Sequence, residues 1–164
     1  MKKRLVVIAI LGTLLMGCQN DNKNNWQPLD LLEYGLPITV QAPDSTTVNA
    51  SDLGIMQDVT LEGVSDPDYY IQIYASKANN TDIAQIKADQ VSDVRSNPYF
   101  SRIVEEDEEG FIYETAIDST NYYSFRYIYL QGDTEFIFTT GLAKTFNQEQ
   151  VRQMYEGVRQ DGQK

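Results

Sequence analysis

Between Phe100 and Thr140 the chain reads as four strands in succession, and no other stretch limits the fold so tightly. The segments are residues 100–105, 111–117, 122–130 and 134–140. They are rich in aromatic and β-branched residues, the types that fit a pleated, half-buried surface. Their joins are short: residues 107–110, residues 118–121 and the pair Gly132-Asp133. The last is a two-residue hairpin signal with glycine at the first central position. Strands this close pair antiparallel as a meander, because a parallel connection needs a long crossover.

The meander leads into the best-specified helix. Asn147 is placed to cap it, and Gln150 three positions later completes a capping-box pattern. Phe146 and Val151 stand where a hydrophobic staple needs them, and Val151, Met154, Tyr155 and Val158 form one apolar stripe to lay on the sheet. An earlier helix runs from a cap at Asn80 or Thr81 to about Ser96, with Asp82 in its first turn. Ile83, Ala84, Ile86, Ala88, Val91 and Val94 give it an apolar side, and Asn97-Pro98 ends it. Ahead of that helix, residues 58–63 and 69–75 alternate as strands around an Asp66-Pro67-Asp68 turn. Residues 36–42 are extended and residues 44–51 read as a polar loop. Residues 26–34 read as a short helical turn stopped by Gly35. The expected fold is α+β: an antiparallel sheet of six to seven strands with a central and a C-terminal helix packed on it. One domain spans residues 28–160, and the chain frays from Gln160 onward.

The order of elements carries a resemblance. It opens with Leu36-Pro37-Ile38-Thr39-Val40-Gln41-Ala42-Pro43 and continues through a hairpin, a helix and the meander. It closes with Phe136-Ile137-Phe138-Thr139-Thr140-Gly141 and Phe146-Asn147 before the last helix. This resembles the PsbP-like fold, including bacterial lipoproteins of the DcrB type, over roughly residues 36–160. The resemblance implies a sandwich and a non-enzymatic binding or assembly role. It brings no catalytic motif.

The N-terminus gives an address. Lys2, Lys3 and Arg4 precede an apolar run over residues 5–16, too short to span a bilayer at about 20 residues but right for a secretory signal. It ends in Leu15-Met16-Gly17-Cys18, which resembles the lipobox of bacterial lipoproteins. That resemblance implies cleavage between Gly17 and Cys18, with residues 1–17 removed and a diacylglyceryl group on the Cys18 thiol. An ordinary signal peptide is the plainer alternative. Cys18 is the only cysteine in the chain. Residues 18–27 then form a flexible tether. Gln19 is similar to the outer-membrane default of Gram-negative lipoproteins, and Asn20-Asp21 to the acidic tags of surface-exposed lipoproteins of Bacteroidota.

Charge narrows the partners. The chain holds 13 basic and 24 acidic residues. Loss of Lys2, Lys3 and Arg4 with the signal leaves ten basic residues and a net charge of −14. Such a surface excludes nucleic acid, whose phosphates require Lys and Arg, and is repelled by anionic lipid, so acyl chains must do the holding. There is no histidine, which removes the commonest general base and metal ligand. No cofactor is expected.

Three groups of residues merit separate treatment. Glu105, Asp107 and Glu109 before Gly110 match the opening of a calcium loop, but Ala116 stands where the bidentate Glu belongs, so a solvated hairpin tip is the simpler reading. Tyr123, Phe125, Tyr127 and Tyr129 share one strand face and read as core under the two helices. Tyr69, Tyr70 and Tyr74 serve equally as core or as partner-binding aromatics. Carboxylate pairs for hydrolysis lack an apolar setting to raise a pKa. The leading expectation is a lipid-anchored, non-catalytic module that binds a protein or other envelope partner. A carboxylate- or cation-dependent envelope hydrolase is the alternative, and a surface receptor or toxin-inhibiting lipoprotein a further one.

Overall fold

The computed structural model describes residues 26–160. Gly17, Cys18 and most of the expected tether lie outside them, as do residues 161–164. Among the described residues the strands are β1 (Gln27–Asp30), β2 (Thr39–Ala42), β3 (Thr46–Asp52), β4 (Met56–Gly63), β5 (Tyr70–Lys77), β6 (Phe100–Glu106), β7 (Gly110–Ile117), β8 (Thr120–Gln131) and β9 (Thr134–Thr140). Helix α1 (Ile83–Ser96) separates β5 from β6, and α2 (Gln148–Val158) closes the domain. Seven strands form one sheet in the order β3-β4-β5-β9-β8-β7-β6, and β1 pairs with β2 separately. Every pairing is antiparallel. The fold is therefore the expected α+β class, with the meander β6 to β9 as its C-terminal half.

Strand alternation divides the sheet into two faces. On one, Val59, Leu61, Ile71, Ile73, Phe125, Tyr127, Phe136 and Phe138 meet Val151, Met154, Tyr155 and Val158 of α2, with Leu31, Leu36 and Val40 from the small sheet. On the other, Ile128 and Ile137 lie under Ile86 of α1, and Phe111 and Tyr113 under Val94. Each fully buried Phe, Leu or Ile contributes about 1.5–3 kcal/mol relative to exposure. The two helices thus cover opposite faces. The aromatic row of β8 is core, but it lies under α2 alone rather than under both helices.

Local chemistry sets the boundaries. The Asn147 side chain accepts from the Gln150 amide at 3.0 Å, and the Gln150 side chain accepts from the Asn147 amide at 2.8 Å, a complete capping box. Asn147→Ala is expected to lower unfolding free energy by about 1 kcal/mol, measurable by urea titration with an unchanged m-value. For α1 the cap is Asp82, which accepts from the Gln85 amide, while Asn80 holds the Asp82 amide in a preceding turn. Gly132 takes φ +63° in the β8–β9 hairpin as expected. In the β7–β8 turn two non-glycine residues, Asp118 (φ 49°) and Ser119 (φ 65°), adopt the left-handed conformation a two-residue hairpin demands.

Four expectations are corrected. Residues 44–51 are not a loop, because residues 46–52 form edge strand β3, whose polar composition hides it: no face of it is fully buried. Residues 26–34 are not chiefly helical: Gln27–Asp30 is strand, followed by a single 3₁₀ turn at Leu32–Tyr34 that Gly35 ends at φ +86°. Trp26 and Gln27 belong to the domain rather than the tether, since the Trp26 ring packs edge-on against Tyr69 at 4.9 Å. Gln160 does not fray: its amide donates to the Tyr127 hydroxyl and its side chain to the Thr39 carbonyl.

Candidate binding face

The acidic hairpin is tied to the domain's own last helix. Glu105 accepts from Arg152, whose Nε lies at 3.0 Å, and from Gln148 at 3.2 Å. Asp107 Oδ2 accepts from the Tyr155 hydroxyl at 2.7 Å and from Arg159 at 2.6 Å, and Oδ1 accepts from the amides of Glu109 and Gly110. Glu109 accepts from the Tyr127 hydroxyl at 3.2 Å. The oxygens a cation would coordinate already hold donors. Among the described residues no cluster of three or more acidic side chains is arranged to hold a metal ion. Burial pushes the Asp107 carboxyl up, but the hydrogen bonds from Tyr155, the Glu109 amide, Arg159 and the Gly110 amide outweigh it and hold it below its ordinary range.

Sequence reasoning passed over Glu114. It is buried in β7 and accepts from Arg102 at 3.0 Å and Ser101 at 2.9 Å. Those hydrogen bonds keep it below the ordinary carboxylate range, the reverse of what a general acid needs. Only its alternation with Ile112 marked it as inward-facing.

The three singled-out tyrosines separate. Tyr69 is fully buried, its hydroxyl donating to the Gln41 carbonyl at 3.2 Å, and burial pushes its pKa up. It is core. Tyr70 and Tyr74 sit on the opposite side of β5, half-buried. The Tyr70 ring lies over Gly141, where an added Cβ would fall 1.5 Å from the ring. Lys144 stands 5.2 Å from the same ring and 3.0 Å from Glu62. Tyr74 packs beside Ile86, Ile128 and Ile137; burial and then Asp58 raise its hydroxyl pKa, while Arg126 lowers it.

Tyr70 and Tyr74 belong to a face that α1 covers only in part. The helix packs over β8 and β6 and reaches β5 at Tyr74 through Ile86, while the side chains that β3 and β4 present on that face all stay partly or fully exposed. The register lines up Asn49, Thr60, Gln72, Thr139 and Arg126 across five strands, with Ser51, Asp58 and Tyr74 in the next row. Gln72 donates to Asp58 at 3.0 Å. Arg126 is the unusual member. Arg102, Arg152, Arg159, Lys87 and Lys144 each pair with a carboxylate, whereas Arg126, like Lys77 and Arg95, makes no ion pair among the described residues; Lys77 and Arg95 are exposed, and Arg126 is half-buried. Its Nη1 donates to the Thr139 hydroxyl, and its guanidinium stands 6.0 Å from the Tyr113 ring. A guanidinium has more donors than these contacts use, and no buried side-chain nitrogen or oxygen among the described residues lacks a partner. The spare donors of Arg126 therefore face solvent, beside tyrosines and hydroxyls suited to hydrogen bonding and stacking.

No protein-family model matches the chain, and no curated protein matches it. Four solved chains do. One, from Bacteroides thetaiotaomicron, is 16% identical with a TM-score of 0.43, over 77% of this chain and 46% of that one. The present chain thus spans less than half the length of that protein. No helix among the described residues is long and apolar enough to cross a membrane.

Proposed function

We infer that the protein is a non-catalytic binding module, held by lipid on Cys18 at the outer membrane of a bacterial envelope, that engages an envelope partner through the β3-β4-β5 face. The observation that carries the reading is Arg126: a half-buried cation without a carboxylate partner, in a strongly acidic chain, on β8 at the end of the cross-strand row that runs through Thr139 to Gln72, Thr60 and Asn49. An interface needs such a group, since a guanidinium with free donors and tyrosines beside it supplies both orientation and contact area. The lipobox pattern supports the anchor, and the order of elements supports reading the domain as PsbP-like.

The test is affinity capture from the native envelope with the lipidated wild type and with Arg126→Glu, alongside palmitate labelling of wild type and Cys18→Ala. The expected result is a defined partner whose recovery falls at least about tenfold with Arg126→Glu, since a charged hydrogen bond is worth about 1.5–3 kcal/mol. Labelling should vanish with Cys18→Ala. Equal recovery by both proteins, at matched thermal stability, removes the face from the reading. Persistent labelling without Cys18 removes the anchor.

A further inference from the structure

We propose that two copies of this chain join edge to edge through β3, pairing antiparallel about a twofold axis at Asn49 to make one continuous sheet.

The edges of the seven-stranded sheet differ. The β6 edge carries register shifts between Phe100 and Arg102 and between Ile103 and Glu105. It also bears Arg102, Glu105 and Glu106, two of them tied to α1 or α2 by ion pairs. Bulges and charges of this kind are how sheets block further pairing. The β3 edge has no such bulge and a single charge, Asp52 at its end. Its seven residues, Thr46 to Asp52, stay in unbroken register with β4, contain no proline, lysine, arginine or glutamate, and are mostly exposed. A long, regular, nearly neutral edge is a template for another strand.

The sequence of that edge complements itself. Antiparallel pairing about Asn49 sets Asn49 opposite Asn49, Val48 opposite Ala50, Thr47 opposite Ser51 and Thr46 opposite Asp52. Val48 and Ala50 of both copies then share the core-side face, and no acidic residue of β3 faces another. In a chain of net charge −11, this is a line along which two copies can meet without opposing like charges. A closed, isologous contact of this type is the commonest form of soluble assembly.

Exposed apolar residues fall where the same axis would cover them. Leu53 (59% exposed) and Ile55 (86%) occupy the β3–β4 tip, and Val64 (69%) lies at the other end of the hairpin. There the Val64 amide donates to the Ser45 carbonyl at 2.8 Å. The twofold axis brings the tip of each copy beside the Ser45–Val64 end of the other.

Disulfide trapping on the full chain tests the geometry, with wild type as the blank because Cys18 is its only cysteine. Under mild oxidation Asn49→Cys should give a covalent homodimer, and Ser51→Cys, displaced from the axis, should not. Thr47→Cys combined with Ser51→Cys should restore it. Ala50→Lys added to Asn49→Cys should reduce the dimer at least tenfold, at an unchanged melting temperature because the position is exposed. The proposal is overturned if Asn49→Cys traps no more dimer than Ser51→Cys. It is equally overturned if the trapped product is an adduct with a different protein.

Discussion

Tyr69→Ala is expected to cost about 3–5 kcal/mol of unfolding free energy, the range for truncating a large buried aromatic. Tyr69 is fully buried, meets the Trp26 ring edge-on at 4.9 Å and reaches the Gln41 carbonyl. It therefore joins β5, the small sheet and the start of the domain at one point, and its loss leaves a cavity with three walls free to move apart. Tyr69→Phe keeps the ring and gives up one hydrogen bond, for about 1 kcal/mol. Urea denaturation of the three proteins measures both. A penalty for alanine no larger than for phenylalanine would show that the ring is not packed as described.

Asp107→Ala is expected to cost about 3 kcal/mol. It leaves the Tyr155 hydroxyl and the Glu109 and Gly110 amides without their acceptor, at about 1 kcal/mol each. The Arg159 ion pair adds little, since both partners are partly exposed and screened. The same carboxylate makes stability pH-dependent. Its folded-state pKa is lowered, so the unfolded chain takes up the proton first as acid is added. Its contribution is present above the ordinary value of 3.8 and is lost as pH falls through the lower, folded value. Glu105, lowered chiefly by the Arg152 hydrogen bond, and Glu114, lowered chiefly by that from Arg102, add in the same sense. Glu135, raised by burial, acts in the opposite sense. Melting temperature should fall as pH drops below about 4.5 toward 2, less steeply in Asp107→Asn than in wild type. Parallel curves would remove Asp107 from the account.

What the sequence made legible is what local chemistry decides. The α2 capping box lies within four consecutive residues, and the alternation of β8 and β9 is strong because aromatics on one face meet a solid core. β3 was lost because an edge strand without a fully buried face shows no period to read. Asp107 was legible as part of an acidic tip, but its partners Tyr155 and Arg159 lie 48 and 52 residues away and arrive only once α2 lies across the sheet. Strand alternation sets Arg126 opposite the aromatic row, yet its lack of a carboxylate emerges only from the packed fold. Which half of that face α1 covers is likewise a property of the packed fold, since the helix's apolar side alone does not select its strands.

The two ends of the domain meet. The Trp26 ring lies against Gly157, close enough that a Cβ there would come within 3.2 Å of it, and Gln160 reaches back to the Thr39 carbonyl. The path of the backbone is thus nearly a closed ring, and the order in which its elements are synthesised is not dictated by how they pack. Joining the ends with a short linker and reopening the ring at Gly54, where nothing lies within 4 Å of an added Cβ, yields a circular permutant that begins at β4 and finishes with β3. In that molecule the edge strand is the last element made, and its docking can be followed apart from the rest of the fold.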